Sequence, residues 1–178
     1  MKKCIFSIML IICILCTFLT AASADEVSNY CGDNVIWSID NQGTLIISGV
    51  GDMFDYIRLD GSDGSLNTAP WGKLRQYVSK VLIGPGVTNI GMNAFAGFDK
   101  LTSLEIGEDV TNIGISAFEG CKNLRTISFG GCIKSVSEWA FASCESLTNI
   151  VLNEGLRSVG NYAFYNCSRV SSVTLPTT

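Results

Sequence analysis

There is no histidine anywhere in the 178 residues. That absence removes the Ser-His-Asp and Cys-His nucleophile systems, which need an imidazole to take the proton. Positive charge is scarce as well: 12 lysines and arginines stand against 16 acidic residues, a net charge of −4. The basic residues are scattered, so the chain offers no electrostatic footprint for nucleic acid or for anionic lipid. It has no glycine-rich phosphate loop and no dinucleotide fingerprint. Carboxylate pairs such as Asp52 with Asp55 are the route left to hydrolysis, as in glycosidases. The acids, however, cluster in turns without the buried surroundings that would raise one pKa. The expectation is no enzyme, no cofactor and no metal.

What the chain has instead is repetition. Over Val81–Leu175 and the three residues beyond, the units read VTNIGMNAFAGFDKLTSLEIGED, VTNIGISAFEGCKNLRTISFGGC, IKSVSEWAFASCESLTNIVLNEG and LRSVGNYAFYNCSRVSSVTLPTT. Phe95, Phe118, Phe141 and Phe164 recur every 23 residues. The same step links Ala94, Ala117, Ala140 and Ala163, then Ile90, Ile113, Val136 and Val159. It also links Leu104, Ile127, Ile150 and Val173, and then Ile106, Phe129, Leu152 and Leu175. A period in the twenties means a solenoid, in which each unit buries its apolar side only by stacking on its neighbours.

The columns also give a cross-section. Leu101-x-x-Leu104-x-Ile106 ends in alternation, which turns Leu104 and Ile106 inward and Ser103 and Glu105 to solvent. That is one strand per unit, paired with its copy in the next as a parallel ladder with Val81–Ile83 as the first rung. A turn follows at Gly107, Gly130 and Asn153, then a second inward residue at Val110, Ile133 and Leu156. The Ile-Gly-x-x-Ala-Phe segment packs the far wall. Gly91, Gly114 and Gly160 suit a bend needing either positive φ or close backbone approach, although Ser137 breaks that column.

The consensus Val-x-x-Ile-Gly-x-x-Ala-Phe-x-x-Cys-x-x-Leu-x-x-Val-x-Ile resembles the BspA-like class of leucine-rich repeats. The upstream CGDNVIWSIDNQGTLIISGVGDMFDY and APW resemble the leader that precedes such repeats in secreted bacterial proteins. The resemblance implies an α/β leucine-rich-repeat solenoid of 23-residue units, one parallel strand per unit, with an N-terminal β-hairpin cap. It further implies a secreted or cell-surface binding protein, in a family associated with adhesion and without a common catalytic residue.

Three segments follow in order. Met1-Lys2-Lys3, the apolar run Cys4–Leu19 and Ala22-Ser23-Ala24 read as a secretory signal peptide (residues 1–24) cut after Ala24. The competing reading is an uncleaved membrane anchor. Ile12 before Cys13 and Leu15 before Cys16 do not suit a lipoprotein signal. Loss of Lys2 and Lys3 takes the 12 basic residues to 10 and the net charge from −4 to −6. Residues 25–80 form a cap and linker, with a hairpin of Val35–Ile39 and Thr44–Ser48 joined by Asp40-Asn41-Gln42-Gly43. Residues 81–178 hold about four repeats, and no capping sequence is visible at their far end. Asp60-Gly61-Ser62-Asp63-Gly64 has the flavour of a calcium loop but lacks the alternating oxygens and closing Glu, so it reads as a polar loop. Leu175-Pro176-Thr177-Thr178 lacks the glycine, apolar tail and basic residues of a sortase signal.

Eight cysteines become five once Cys4, Cys13 and Cys16 leave with the signal. Cys121, Cys144 and Cys167 share a column with Phe98, so they read as interior free thiols acting as small hydrophobes. Their side chains would run parallel rather than face one another, against a disulfide, and a linear file does not converge on zinc. A Cys31–Cys132 bridge is not favoured. Trp37, Trp71, Tyr56 and Phe54 read as the core of the cap rather than as a sugar-stacking platform.

Binding is expected on the outward positions of the ladder, Ser103, Thr126, Asn149 and Ser172 in one file and Glu105, Ser128, Val151 and Thr174 in the next. The partner would be an extracellular protein or cell-surface ligand; nucleic acid is excluded, as is the membrane once the signal is cut. The last rung invites edge-to-edge self-association. The alternative is a cell-wall or polysaccharide-attachment module using the cap aromatics. The small-x-small site predicts that mass spectrometry of the exported protein finds Asp25 at its N-terminus; retention of residues 1–24 would refute cleavage.

Overall fold

The computed structural model describes residues 29–59 and 67–177. The signal-peptide reading of residues 1–24 and the loop reading of residues 60–64 lie outside the described residues. The strands in chain order are β1 (Val35–Ile39), β2 (Thr44–Gly49), β3 (Gly51–Asp52), β4 (Lys80–Ile83), β5 (Val87–Ile90) and β6 (Ser103–Ile106). They continue with β7 (Asn112–Ile113), β8 (Thr126–Ser128), β9 (Ser135–Val136), β10 (Asn149–Val151), β11 (Ser158–Val159) and β12 (Ser172–Thr174). A single 3-10 turn, Gly72–Leu74, is the helical content among the described residues. The protein is a parallel β-solenoid of about 4 turns, with successive turns about 23 residues apart.

Each turn contributes two strands, not one. The longer strands build a first wall in the order β1-β2-β4-β6-β8, followed by the pair β10-β12. Shorter strands build a second wall in the order β11-β9-β7-β5-β3. The expected hairpin forms, with β1 antiparallel to β2, and β2 then pairs parallel with β4. The first rung is therefore Thr44–Gly49 rather than Val81–Ile83, and hairpin and repeats share one core. Asp40 shapes the hairpin loop: its Oδ1 accepts the Thr44 and Gln42 amides, both at 2.8 Å.

One further departure concerns the ladder's continuity. β8 does not pair with β10, so the first wall divides into a five-stranded and a two-stranded panel. The break falls beside Phe129, the one aromatic in the column Ile106, Phe129, Leu152 and Leu175. Its ring is half-buried and lies edge-on to Phe141 at 5.9 Å.

A column of rings fills the space between the walls. Phe95, Phe118, Phe141 and Phe164 stack at 5.0, 5.2 and 5.4 Å, with interplanar angles of 8°, 3° and 4°. Trp71 adds a fifth ring, stacked on Phe95 at 5.4 Å, while its Nε1 donates to the Ala94 carbonyl at 2.8 Å. The register is locked by amides that bond forward to the next turn: Phe95 to Ala117, Phe118 to Ala140 and Phe141 to Ala163, at 2.8, 2.8 and 2.7 Å.

The Gly91 column is explained by approach, not by φ. A Cβ on Gly91 would lie 1.8 Å from the Phe54 carbonyl oxygen, and one on Gly114 would lie 2.6 Å from that of Ile90. Positive φ falls two residues later, at Asn93, Ser116, Trp139 and Tyr162, with values of 55°, 53°, 58° and 60°.

Phe118 is fully buried with a ring on either face, whereas Phe164 is half-buried with a ring recorded on one face. Phe118→Ala should therefore cost roughly 3–5 kcal/mol, and Phe164→Ala clearly less. Urea unfolding of both variants measures the difference, and equal losses would refute the continuous column.

Candidate binding face

The outward positions of the first wall come together in pairs across the register. Ser103 lies beside Thr126 and Glu105 beside Ser128 on the five-stranded panel. Asn149 lies beside Ser172 and Val151 beside Thr174 on the two-stranded panel. The break between β8 and β10 separates Thr126 from Asn149 and Ser128 from Val151, so the two files are interrupted rather than continuous. All eight residues are exposed or half-exposed. Within the second panel, Ser172 Oγ and Asn149 Oδ1 are hydrogen-bonded at 2.8 Å.

The register extends the face backwards onto the hairpin. Thr44 and Lys80 continue the Ser103 file, and Ile46 and Leu82 continue the Glu105 file. Beside them lies a groove of about 400 Å³ walled by Leu82, Pro85, Glu105, Glu108, Asp109 and Ser128. Three carboxylates and no basic side chain line it. Lys80 Nζ meets Glu105 at 2.6 Å, and Asp109 accepts the Gly86 amide at 2.8 Å. The pair with Lys80 is half-exposed and contributes little to stability.

Sequence reasoning placed Glu105 on this face but not Glu108 and Asp109, which lie in the turn after the strand; it also missed Ile46 and Leu82, because the hairpin reads as a cap outside the ladder. Aligning Thr44–Ile47 with Lys80–Ile83 would have exposed them. The cap aromatics also sort differently from one another. Trp71 and Tyr56 are buried, Trp37 is half-buried against Trp71 at 5.8 Å, and Phe54 alone faces solvent. A sugar platform built from those four is therefore closed.

Asp52 and Asp55 act as ties between the first turn, which carries the hairpin, and the second. Asp52 accepts the Thr88 hydroxyl and Asp55 the Met92 amide, each at 2.6 Å. Arg58 and Glu119 add an ion pair at 2.6 Å.

Cys31, Cys121, Cys132, Cys144 and Cys167 are free thiols. Cys121 and Cys144 are fully buried, Cys167 is half-buried and Cys132 is exposed. Each member of the column points its Sγ at a phenylalanine carbonyl of the preceding turn: Phe95, Phe118 and Phe141, at 3.2, 3.4 and 3.3 Å. Burial pushes the Cys121 thiol up to about 12, and raises Cys144 and Cys167 for the same reason. No His/Cys/Asp/Glu cluster among the described residues is arranged to hold a metal ion, and no helix there is long and apolar enough to cross a membrane.

Residues 75–178 match the family model described as the BspA type leucine rich repeat region, in 6 copies. Among solved structures the chain is similar to a leucine-rich repeat protein from Eubacterium ventriosum, at 26% identity and a TM-score of 0.66, over 80% of this chain and 38% of that one. It is also similar in fold to the T. pallidum leucine rich repeat protein, at 24% identity and a TM-score of 0.56, over 83% and 72% of the two chains. The chain thus spans less than half the length of the first of these. No curated protein matches it.

The thiol column generates a pH dependence. The thiol titrates near 9.0 in the unfolded chain and, buried at Cys121, near 12, so between these values the unfolded chain binds fewer protons. The contribution of Cys121 is then complete below about pH 9 and falls between there and about pH 12, by roughly 1.4 kcal/mol per pH unit. Urea titrations from pH 8 to pH 11 should show this slope, reduced in Cys121→Ala. Alkylation at neutral pH should mark Cys132 first and leave Cys121 and Cys144 until unfolding. Early labelling of these two would refute the interior column.

Proposed function

The chain belongs to the BspA-type leucine-rich-repeat family, and on that premise we propose that it is a non-catalytic binding protein of the bacterial surface or its surroundings, with the first wall as its docking face. The observation that carries the reading is the groove beside Leu82 and Ser128, which opens on the same face as the outward files. With Glu105 paired to Lys80, Glu108 and Asp109 leave the groove net acidic, which suits a basic side chain, and Leu82 and Pro85 add apolar surface. The partner that suits this chemistry is an extracellular protein presenting lysine or arginine, and adhesion is the role in which a small repeated face is useful.

The size of the face sets the strength. Seven strands, including the hairpin, span ~30 Å at ~4.8 Å per step, and three-residue strands are ~10 Å wide. A few hundred Å² results, short of the ~800 Å² per partner of a standard interface. The eight expected contact residues also include no Trp, Tyr or Arg, the side chains that dominate hot spots. A single copy therefore binds weakly, and attachment draws on several copies acting together.

Arginine at both Ser128 and Asn149 blocks the two panels and crowds the groove. Binding of this double variant to immobilised extracellular-matrix proteins should fall at least tenfold below that of the unaltered chain, measured by surface plasmon resonance. Unchanged affinity, or nanomolar binding by a monomer carrying both substitutions, would overturn the assignment of this face.

A further inference from the structure

The charges bordering the first wall are sorted by sign across its width. The chain leaves β6 through a turn that carries Glu108 and Asp109, both exposed, with Glu105 on the strand beside them. It enters β6 through a turn that carries Lys100, and it enters β8 through Lys122 and Arg125, all three exposed. The Arg125 amide bonds to the Thr102 carbonyl at 3.0 Å, which fixes Arg125 on the entry edge of the wall. Asp99, the acid beside Lys100, is already engaged by Arg75 at 3.5 Å. Lys100, Lys122, Arg125 and Glu108 enter no ion pair among the described residues. One border of the five-stranded panel is therefore basic and the opposite border acidic, with the half-exposed Ile46 and Leu82 between them. Each of these groups belongs to a turn stacked on a neighbour at either end, so its exposure follows from an outward direction and not from an uncovered end.

Symmetry decides how two such walls can meet face to face. A two-fold axis in the plane of the wall can run along the strands or along the solenoid axis. Along the strands it preserves strand direction, so acidic border lies over acidic and basic over basic. Along the solenoid axis it reverses strand direction and keeps each rung level with its copy. Each acidic border then meets a basic one. Glu108 and Asp109 face Lys100 of the second copy on the same rung. Lys122 and Arg125 of that copy lie one rung away, ~4.8 Å along the axis, within reach of long side chains. The turns after β4 and β8, Pro85-Gly86 and Gly130-Gly131-Cys132, bring no charge against the bases. Glu145 and Glu154, which this arrangement sets against each other, lie on the next rung, beyond the break after β8. The contact is isologous, with one complementary border used twice.

We propose that the first wall is covered in the free protein by a second copy of this chain, in a two-fold dimer with parallel solenoid axes whose acidic borders receive Lys100, Lys122 and Arg125 of the other copy. The proposal rests on the first wall being a docking face, and it names the occupant that face has before another partner arrives. A few hundred Å² per copy falls short of the ~800 Å² of a standard interface, so the dimer is weak and forms at high local concentration. Its attraction is largely coulombic. Salt that shortens the screening length from ~10 Å at 0.1 M to ~3 Å at 1 M dissolves it. Self-cover and docking use the same acids, so the dimer keeps the face closed until a basic partner displaces the second copy.

Charge reversal tests the arrangement. Sedimentation velocity of the full chain from about 1 μM to about 1 mM should show a monomer–dimer equilibrium. Raising salt from ~0.1 M to ~1 M should weaken it at least tenfold. Glu108→Lys with Asp109→Lys reverses the acidic border, and Lys122→Glu with Arg125→Glu reverses most of the basic one. Each double variant alone should lose self-association at least tenfold with its thermal midpoint retained. An equimolar mixture of the two should form a dimer again, because each reversed border finds its opposite on the other chain. If one variant does not fold, the salt series on the unaltered chain and the remaining variant still decide. A chain monomeric at every concentration, self-association indifferent to salt, two folded variants that fail to pair on mixing, or open-ended assembly would each overturn the dimer. The docking reading is judged separately, by matrix binding of the Lys122→Glu, Arg125→Glu variant, which keeps the groove acids. A monomeric chain that binds matrix proteins through Ser128 and Asn149 would sink the dimer alone, and a dimer without matrix binding would sink the docking reading alone.

Discussion

The structure depends on one distance, the rise from turn to turn, being met simultaneously by rings, strands and amides. The aromatic rings sit 5.0–5.4 Å apart along the axis, close to the ~4.8 Å separation of paired strands. A stack of flat side chains and a parallel ladder can therefore share one repeat without either being stretched. The alanines beside the phenylalanines follow from the same constraint, because a larger side chain there would hold the turns apart. So does the Gly91 column, where the chain passes too close to the preceding turn for a Cβ at Gly91, Gly114 or Gly160. Ser137 departs from it in the turn preceding Gly160, whose own Cβ would meet the Glu138 amide nitrogen at 2.4 Å.

Much of this is written in the residue columns, and the parts that are not have physical reasons. The Phe95 to Phe164 file, the inward Leu104 and Ile106, the hairpin and the interior thiols can all be read from the 23-residue step and from alternation. Trp71 is harder to see as the fifth ring, because it stands 24 residues before Phe95 and so falls out of register in the sequence while falling into line in space. The second strand of each turn is only two residues long in β7, β9 and β11, too short for a period to declare itself. Glycine misdirects the eye in the bend. The glycine is there for closeness, while the left-handed backbone belongs to its second neighbour, where Trp139 gives no hint of it. The interruption between β8 and β10 has no signature beyond the bulk of Phe129.

The first wall presents short, mostly small side chains and an acidic groove, which suits weak contact repeated many times. It exploits the fact that a solenoid fixes the backbone of each turn through its neighbours, leaving outward side chains free to vary without cost to the core.

The division of the first wall into two panels also has a mechanical meaning. Hydrogen bonds between turns run along the axis of the solenoid, so a pull along that axis loads them one rung after another rather than all together. The five-stranded panel resists as a unit. At β8 the first wall transmits none of the load, which passes to the amides along the ring column and to the second wall, where β9 and β11 share a pair of two-residue strands. Tension on the C-terminal turns would thus open the molecule first at Phe129, uncovering the stacked rings beneath while the N-terminal turns and their groove stay assembled. A solenoid made this way yields in stages under tension, with a built-in weak seam that spares the part nearest the hairpin.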